Sequence, residues 1–254
     1  MTPAGADRAV DSAADSGDDA ANDRPVALFA AAGSGIGAAA ARLFSERGWR
    51  VAVLSSSGRG EALGAELGGV GVTGDARDVR DLTLLVDAAM DSWGRVDAVV
   101  NSAGHGAKGE LLSLSDEDWH AGFEIYLMGI VRMARIVTPI LVRQGGGSIV
   151  NVSSFAAVEP DADFPTSAVA RGGLSVFTKL FAGRYAAEGV RMNDVLPGFV
   201  DSLPEIERRR ARIPAGRYAR ASEVAETIHF LASPASSYLT GQALRVDGGM
   251  TRSI

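Results

Sequence analysis

From Arg24 onward, short runs rich in Val, Leu and Ala alternate with longer stretches whose apolar positions recur at helical spacing. Strands that are apolar throughout are what a parallel sheet covered on both faces requires, and amphipathic helices between them supply the covers. The pattern predicts strands near 26–30, 50–54, 70–73, 96–101, 147–152, 190–196 and 243–246. It predicts helices near 36–47, 60–67, 79–93, 116–143, 166–188 and 221–232, with joins marked by Gly145-Gly146-Gly147 and Pro197-Gly198. The implied fold is α/β, a doubly wound parallel sheet of Rossmann type with about seven strands. It forms a single domain over 24–254, since no repeat and no Pro/Gly/Ser-rich linker divides it.

Residues 1–23 do not share the pattern. Asp7, Asp11, Asp15, Asp18, Asp19 and Asp23 face only Arg8, among residues with little to bury, so a disordered acidic tail is predicted, acting as a solubilising extension rather than a docking arm. This tail holds most of the net charge of −6, which leaves the body near neutral and without a basic surface for nucleic acid. A chain of 254 residues, 46% hydrophobic, is long enough to bury one large core. With no cysteine and three scattered histidines, no metal site is predicted. No run of about 18 apolar residues and no basic-then-apolar leader are evident, so neither a membrane span nor a secretory signal is expected, and the predicted location is the cytoplasm.

Ligands of such sheets bind beyond the carboxyl ends of the strands. After the first strand comes Ala30-Ala31-Ala32-Gly33-Ser34-Gly35-Ile36-Gly37, opening a helix of small residues. Glycines there let backbone approach a pyrophosphate at the helix N-terminus, although tight strand–helix packing asks for the same residues. After the second strand stands Ser55-Ser56-Ser57-Gly58-Arg59 with no acidic residue. An acid would bind the ribose hydroxyls of NAD(H), whereas three hydroxyls and a guanidinium suit a 2′-phosphate, so NADP(H) is favoured over NAD(H).

These segments resemble the short-chain dehydrogenase/reductase family, whose turn reads Thr-Gly-x-x-x-Gly-[Ile/Leu]-Gly. Gly35, Ile36 and Gly37 match, while Ala30 and Ala31 replace Thr and the first Gly, a mild departure if φ at Ala31 is negative. Asp75 falls where the family contacts adenine, and Asn101-Ser102-Ala103-Gly104 matches Asn-Asn-Ala-Gly with one change. Pro197-Gly198-Phe199-Val200-Asp201-Ser202 resembles the segment that holds the nicotinamide carboxamide. The closing stretch, from Ile213-Pro214 to Val246-Asp247-Gly248-Gly249, is also similar, so the resemblance covers about residues 25–250. It implies cofactor contacts from Ala31, Gly33, Ser34, Gly35, Ile36, Gly37, Asp75, Asn101, Ala103, Gly104, Pro197, Gly198, Val200 and Ser202.

The family's catalytic serine corresponds to Ser154. Its tyrosine, thirteen residues on, is replaced by Ser167, and its lysine, which also holds the nicotinamide ribose, is replaced four further on by Arg171, so the resemblance implies a cofactor contact from Arg171 as well. Serine is far less acidic than tyrosine and arginine stays protonated, so neither replacement is a good proton donor. A positioned general acid is worth about 10²–10⁴-fold, so its loss implies slower chemistry, another donor or another reaction. Tyr126 stands where the family usually carries an asparagine, seven residues after Trp119; it is read either as a substitute proton donor or as a buried aromatic. His105, Glu159, Asp161 and Asp163 are further candidates to face substrate. Arg208, Arg209, Arg210 and Arg212 beside Glu205 and Glu207 suit either an acidic substrate or a solvated helix with internal charge pairs.

The leading expectation is an NADP(H)-dependent reductase of a small carbonyl or imine with altered proton delivery. The alternatives are a catalytically silent cofactor-binding subunit paired with an active homologue and a non-redox cyclase or isomerase. A homotetramer is expected by resemblance.

Overall fold

The computed structural model describes residues 23–102 and 104–253. The expected tail, apart from Asp23, and the cofactor contact expected of Ala103 lie outside the described residues. Seven strands form one parallel sheet: β1 (Val26–Ala30), β2 (Arg50–Ser55), β3 (Val70–Thr73), β4 (Ala98–Asn101), β5 (Gly147–Val152), β6 (Val190–Pro197) and β7 (Ala243–Val246). Their order is β3-β2-β1-β4-β5-β6-β7, so the winding reverses between β1 and β4 and opens a crevice beyond their carboxyl ends.

The covers are α1 (Gly35–Glu46), α2 (Arg59–Glu66), α3 (Val79–Trp93), α4 (Asp116–Phe123), α5 (Gly129–Arg143), α6 (Pro165–Tyr185), the single turn α7 (Glu207–Arg210) and α8 (Ala221–Ala232). Their ends are written in the sequence. Asp78 caps α3 by accepting from the Arg80 N–H, Gly94 closes it at φ 70°, Ser115 and Asp118 form a capping box on α4, and Pro165 begins α6. On one face of the sheet Phe44 of α1 packs with Ile228 and Leu231 of α8; on the other Leu82, Met133, Val137, Leu141 and Phe181 come from α3, α5 and α6. Burying each such side chain contributes about 1.5–3 kcal/mol.

Two expectations need correction. The helix predicted over 116–143 is interrupted at Glu124–Met128 by a π-turn, which holds Tyr126. Gly129 follows it because the chain passes so close to the β3–α3 connection that a Cβ there would lie 2.6 Å from the Ala76 carbonyl oxygen. The same stretch, Asp116–Arg143, is long and apolar enough to cross a membrane by length and composition. Its Met133, Val137 and Leu141 are buried against the sheet, so core packing explains part of that apolarity.

Candidate active site

The turn after β1 fits the pyrophosphate end of a dinucleotide. A Cβ at Gly35 (φ 57°) would lie 3.3 Å from Ser202 Cβ, so the turn and the segment after β6 converge. A Cβ at Gly37 would lie 2.8 Å from Ala32, which is the close helix–strand approach the motif requires. The N-terminus of α1 has no side-chain cap and no acidic residue in its first turn, leaving its N–H groups open to an anion. Ala31 differs from expectation: its φ is 56°, so a Cβ-bearing residue occupies the left-handed conformation where the family has glycine. Gly33 is required for packing, because a Cβ would lie 2.5 Å from Ser55 Oγ.

At the end of β2, Ser55 is buried and its hydroxyl bonds to Ser57, whereas Ser56 and Arg59 are exposed. Arg59 Nε donates to Ser57 Oγ at 3.2 Å, and no acidic side chain pairs with its guanidinium among the described residues. Asp75 is held by Arg77 through paired hydrogen bonds, which press its carboxyl below the ordinary range. Of the segment after β6, Pro197 and Val200 are buried, Gly198 is half-buried against Asp247 and Ser202 is exposed.

Three of the four catalytic candidates meet. Arg171 is buried; its Nη1 donates to the Val152 carbonyl at 2.6 Å, and its Nε donates to Ser167 Oγ at 3.2 Å. Its Cζ stands 4.5 Å from the centroid of the Tyr126 ring. Burial pushes the guanidinium down to about 10, opposed by Tyr126 and Asp194, so it stays charged at neutral pH. The Tyr126 hydroxyl accepts from the Gly106 N–H and is thereby committed to the loop after β4. Ser154 accepts from the Ala156 N–H and keeps its own proton free to donate. No hydrogen bond among the described residues joins Ser154 to the other three.

Beneath them runs a polar network that sequence reading missed. Strand register sets Asn101 beside Asn151 and Asn151 beside Asp194. Asn101 Nδ2 donates to Asn151, and Asn151, Thr178 and Ser175 all donate to the Asp194 carboxylate. Asn101 is thus turned into the sheet. Burial raises Asp194 to about 6 despite these bonds and the positive charge of Arg171. The signal in the sequence was the polar pair Asn193-Asp194 in the middle of a strand that continues Val195-Leu196.

The acids after β5 are spoken for. Asp161 binds Arg212 at 2.6 Å, Asp163 binds Arg208 at 2.6 Å, and Glu159 accepts from the Arg252 and Ser253 N–H groups. Only Arg210 forms the internal pairs expected of the arginine run, with Glu205 and Glu207. His105 is pressed below the ordinary histidine value by partial burial and then by Lys108 and Arg171, which keeps it neutral.

This combination of a switch-point crevice, glycine turn and post-β5 serine defines a dinucleotide-dependent enzyme class, and comparison with known proteins specifies it. A family model described as enoyl-(acyl carrier protein) reductase matches residues 30–251. A 3-oxoacyl-[acyl-carrier-protein] reductase of Thermotoga maritima is 35% identical over 238 residues, covering 89% of this chain and 97% of that protein. A cis-4-hydroxycyclohexanecarboxylate dehydrogenase of Sinomonas cyclohexanicum is 37% identical (89% and 96% covered), and a D-threitol dehydrogenase of Mycolicibacterium smegmatis is 34% identical (90% and 94%). The chain belongs to the short-chain dehydrogenase/reductase family of oxidoreductases.

Proposed function

We propose that the protein is an NADP(H)-dependent reductase of a small carbonyl compound, in which Ser167 backed by Arg171 replaces the family's tyrosine and lysine. The observation that carries this reading is the Arg171 Nε to Ser167 Oγ bond. Because Arg171 donates, the Ser167 proton is directed elsewhere, toward a substrate oxygen, and the buried charge behind it strengthens that donation. Ser154 supplies a second donor. Together they stabilise a developing alkoxide, and solvent supplies the proton. The cofactor, when bound, provides the hydride. An imine substrate fits the same site, since a protonated iminium needs no acid.

Ser56, Ser57 and Arg59 support the NADP(H) preference by offering hydroxyls and a guanidinium to a 2′-phosphate. Titration of the protein with each reduced cofactor tests it. NADPH binds more tightly and Arg59→Ala removes the difference; equal affinities refute the assignment. The oxo acid 4-oxocyclohexanecarboxylate is a suitable first substrate, given the name of the Sinomonas relative.

The assembly proposed is a cytoplasmic homotetramer, supported by Val169, Val176 and Leu180, which leave a stripe of α6 exposed. The burial of Arg171 also favours a second reading, a catalytically silent subunit of an active homologue. NADPH oxidation by the purified chain alone separates the two.

A further inference from the structure

The loops after β4, β5 and β6 converge on Phe164, the residue immediately before α6. The first is fastened down: the Gly106 N–H donates to the Tyr126 hydroxyl, and Thr166 Oγ1 donates to the Ala107 carbonyl at 3.1 Å. This sets Lys108 Nζ 5.3 Å from the centroid of the Phe164 ring. From the segment after β6, Arg209 Cζ stands 5.1 Å from the same centroid and 5.2 Å from that of Phe199. Two cations share one ring.

Their charges are poorly compensated. The Asp161 and Asp163 carboxylates are engaged at 2.6 Å by Arg212 and Arg208, and Arg209 has only a 3.5 Å contact with Asp163. The Arg209 side chain is 12% exposed, and its buried Nε has no hydrogen-bond partner among the described residues. Lys108 forms no ion pair among the described residues. A buried charged donor without an acceptor is rare in native proteins.

We propose that Lys108, Phe164 and Arg209 form an anion subsite that binds the carboxylate of a small oxo-acid substrate. The assignment deepens the reductase reading and rests on it. Phe164 precedes Ser167 by three residues, about one helical turn or roughly 5 Å along the axis, so carboxylate and reacting carbonyl are separated by a few carbons. Asp161 and Asp163 nearby favour a single negative charge over a doubly charged phosphate.

Calorimetric titration of the full chain with cyclohexanecarboxylate, its neutral amide and inorganic phosphate tests the subsite without cofactor. The carboxylate binds at least tenfold tighter than the amide and tighter than phosphate. Arg209→Gln and Lys108→Gln each weaken carboxylate binding, the former at least tenfold, without changing the amide, and Arg209→Lys restores part of the loss. Equal binding of carboxylate and amide, tighter binding of phosphate, or unchanged affinity in a folded Arg209→Gln variant overturns the proposal. Those failures leave the reductase reading standing, whereas loss of NADPH binding alongside intact carboxylate binding overturns that reading alone.

Discussion

Arg171 holds its guanidinium over the Tyr126 ring, and the hydroxyl of that ring is taken up by the Gly106 N–H. Tyr126 therefore positions a cation with its face and a loop with its edge, and, like Ser154, it keeps its own proton while accepting, so the kcat of a Tyr126→Phe variant decides whether it also donates. Tyr126→Phe keeps the ring and removes only the acceptor for Gly106. The Gly106 N–H is only partly buried, so water takes up part of the loss and the cost falls below the roughly 1–3 kcal/mol of a fully buried unpaired group. We predict a melting temperature lowered by no more than about 2–4 °C with kcat within about threefold of wild type, well short of the roughly 10²-fold loss that removing a general acid brings. Thermal denaturation and steady-state kinetics on the same preparation check both.

Ala31 carries a backbone conformation suited to glycine, with φ at 56°. A left-handed conformation costs a residue with a Cβ about 1–2 kcal/mol. Ala31→Gly is expected to raise the melting temperature by about 2–4 °C, as a gain near 1 kcal/mol does in a domain of this size. Differential scanning calorimetry reads it directly, and a lowered melting temperature would show that the strain is offset locally.

Asp194 has its pKa raised from 3.8 to about 6, which corresponds to about 3 kcal/mol spent on keeping it ionised in the fold. An acid with a raised folded pKa binds more protons folded than unfolded between those two values. Stability from this group is therefore greatest below about 4 and declines as pH rises to about 6. Asp194→Asn should be more stable than wild type at pH 8, with the difference vanishing as pH falls toward 4. Denaturant unfolding at a series of pH values measures the difference; a variant less stable at pH 8 would mean that Arg171 needs this carboxylate as its counter-charge.

Restoring the family pair is expected to restore ordinary acid catalysis. Ser167→Tyr with Arg171→Lys should raise reduction of a generic ketone by about 10²-fold, the lower end of what a positioned acid contributes. Arg171→Ala alone should instead lower stability, since it empties a buried position and frees the Val152 carbonyl. The comparison is made by NADPH oxidation with ethyl acetoacetate and by thermal denaturation.

The sheet was legible because buried parallel strands are mostly apolar, and all seven stand where the pattern of Val, Leu and Ala places them. The glycine turn was legible as a motif although only Gly37 owes its place to a neighbour in sequence, Ala32; Gly33 meets Ser55 and Gly35 meets Ser202, contacts made by the folded crevice. The π-turn at Glu124–Met128 was not, because it depends on how Gly129 meets Ala76, a contact made far from its own sequence. The arginine run after β6 was misread in part: periodicity on one short helix shows the Glu207–Arg210 pair but not the partners Asp161 and Asp163 across the mouth. The Asn101–Asn151–Asp194 network appears only once register sets three strands side by side.

The central claim is that the Ser167 hydroxyl, oriented by Arg171, donates to the substrate oxygen during hydride transfer. Single-turnover oxidation of bound NADPH by 4-oxocyclohexanecarboxylate, compared between wild type and Ser167→Ala, tests it most directly. The account predicts a rate lower by about 10²-fold with NADPH affinity unchanged, the loss that removal of one alkoxide-stabilising donor brings. A Ser167→Ala variant that transfers hydride at the wild-type rate would contradict it.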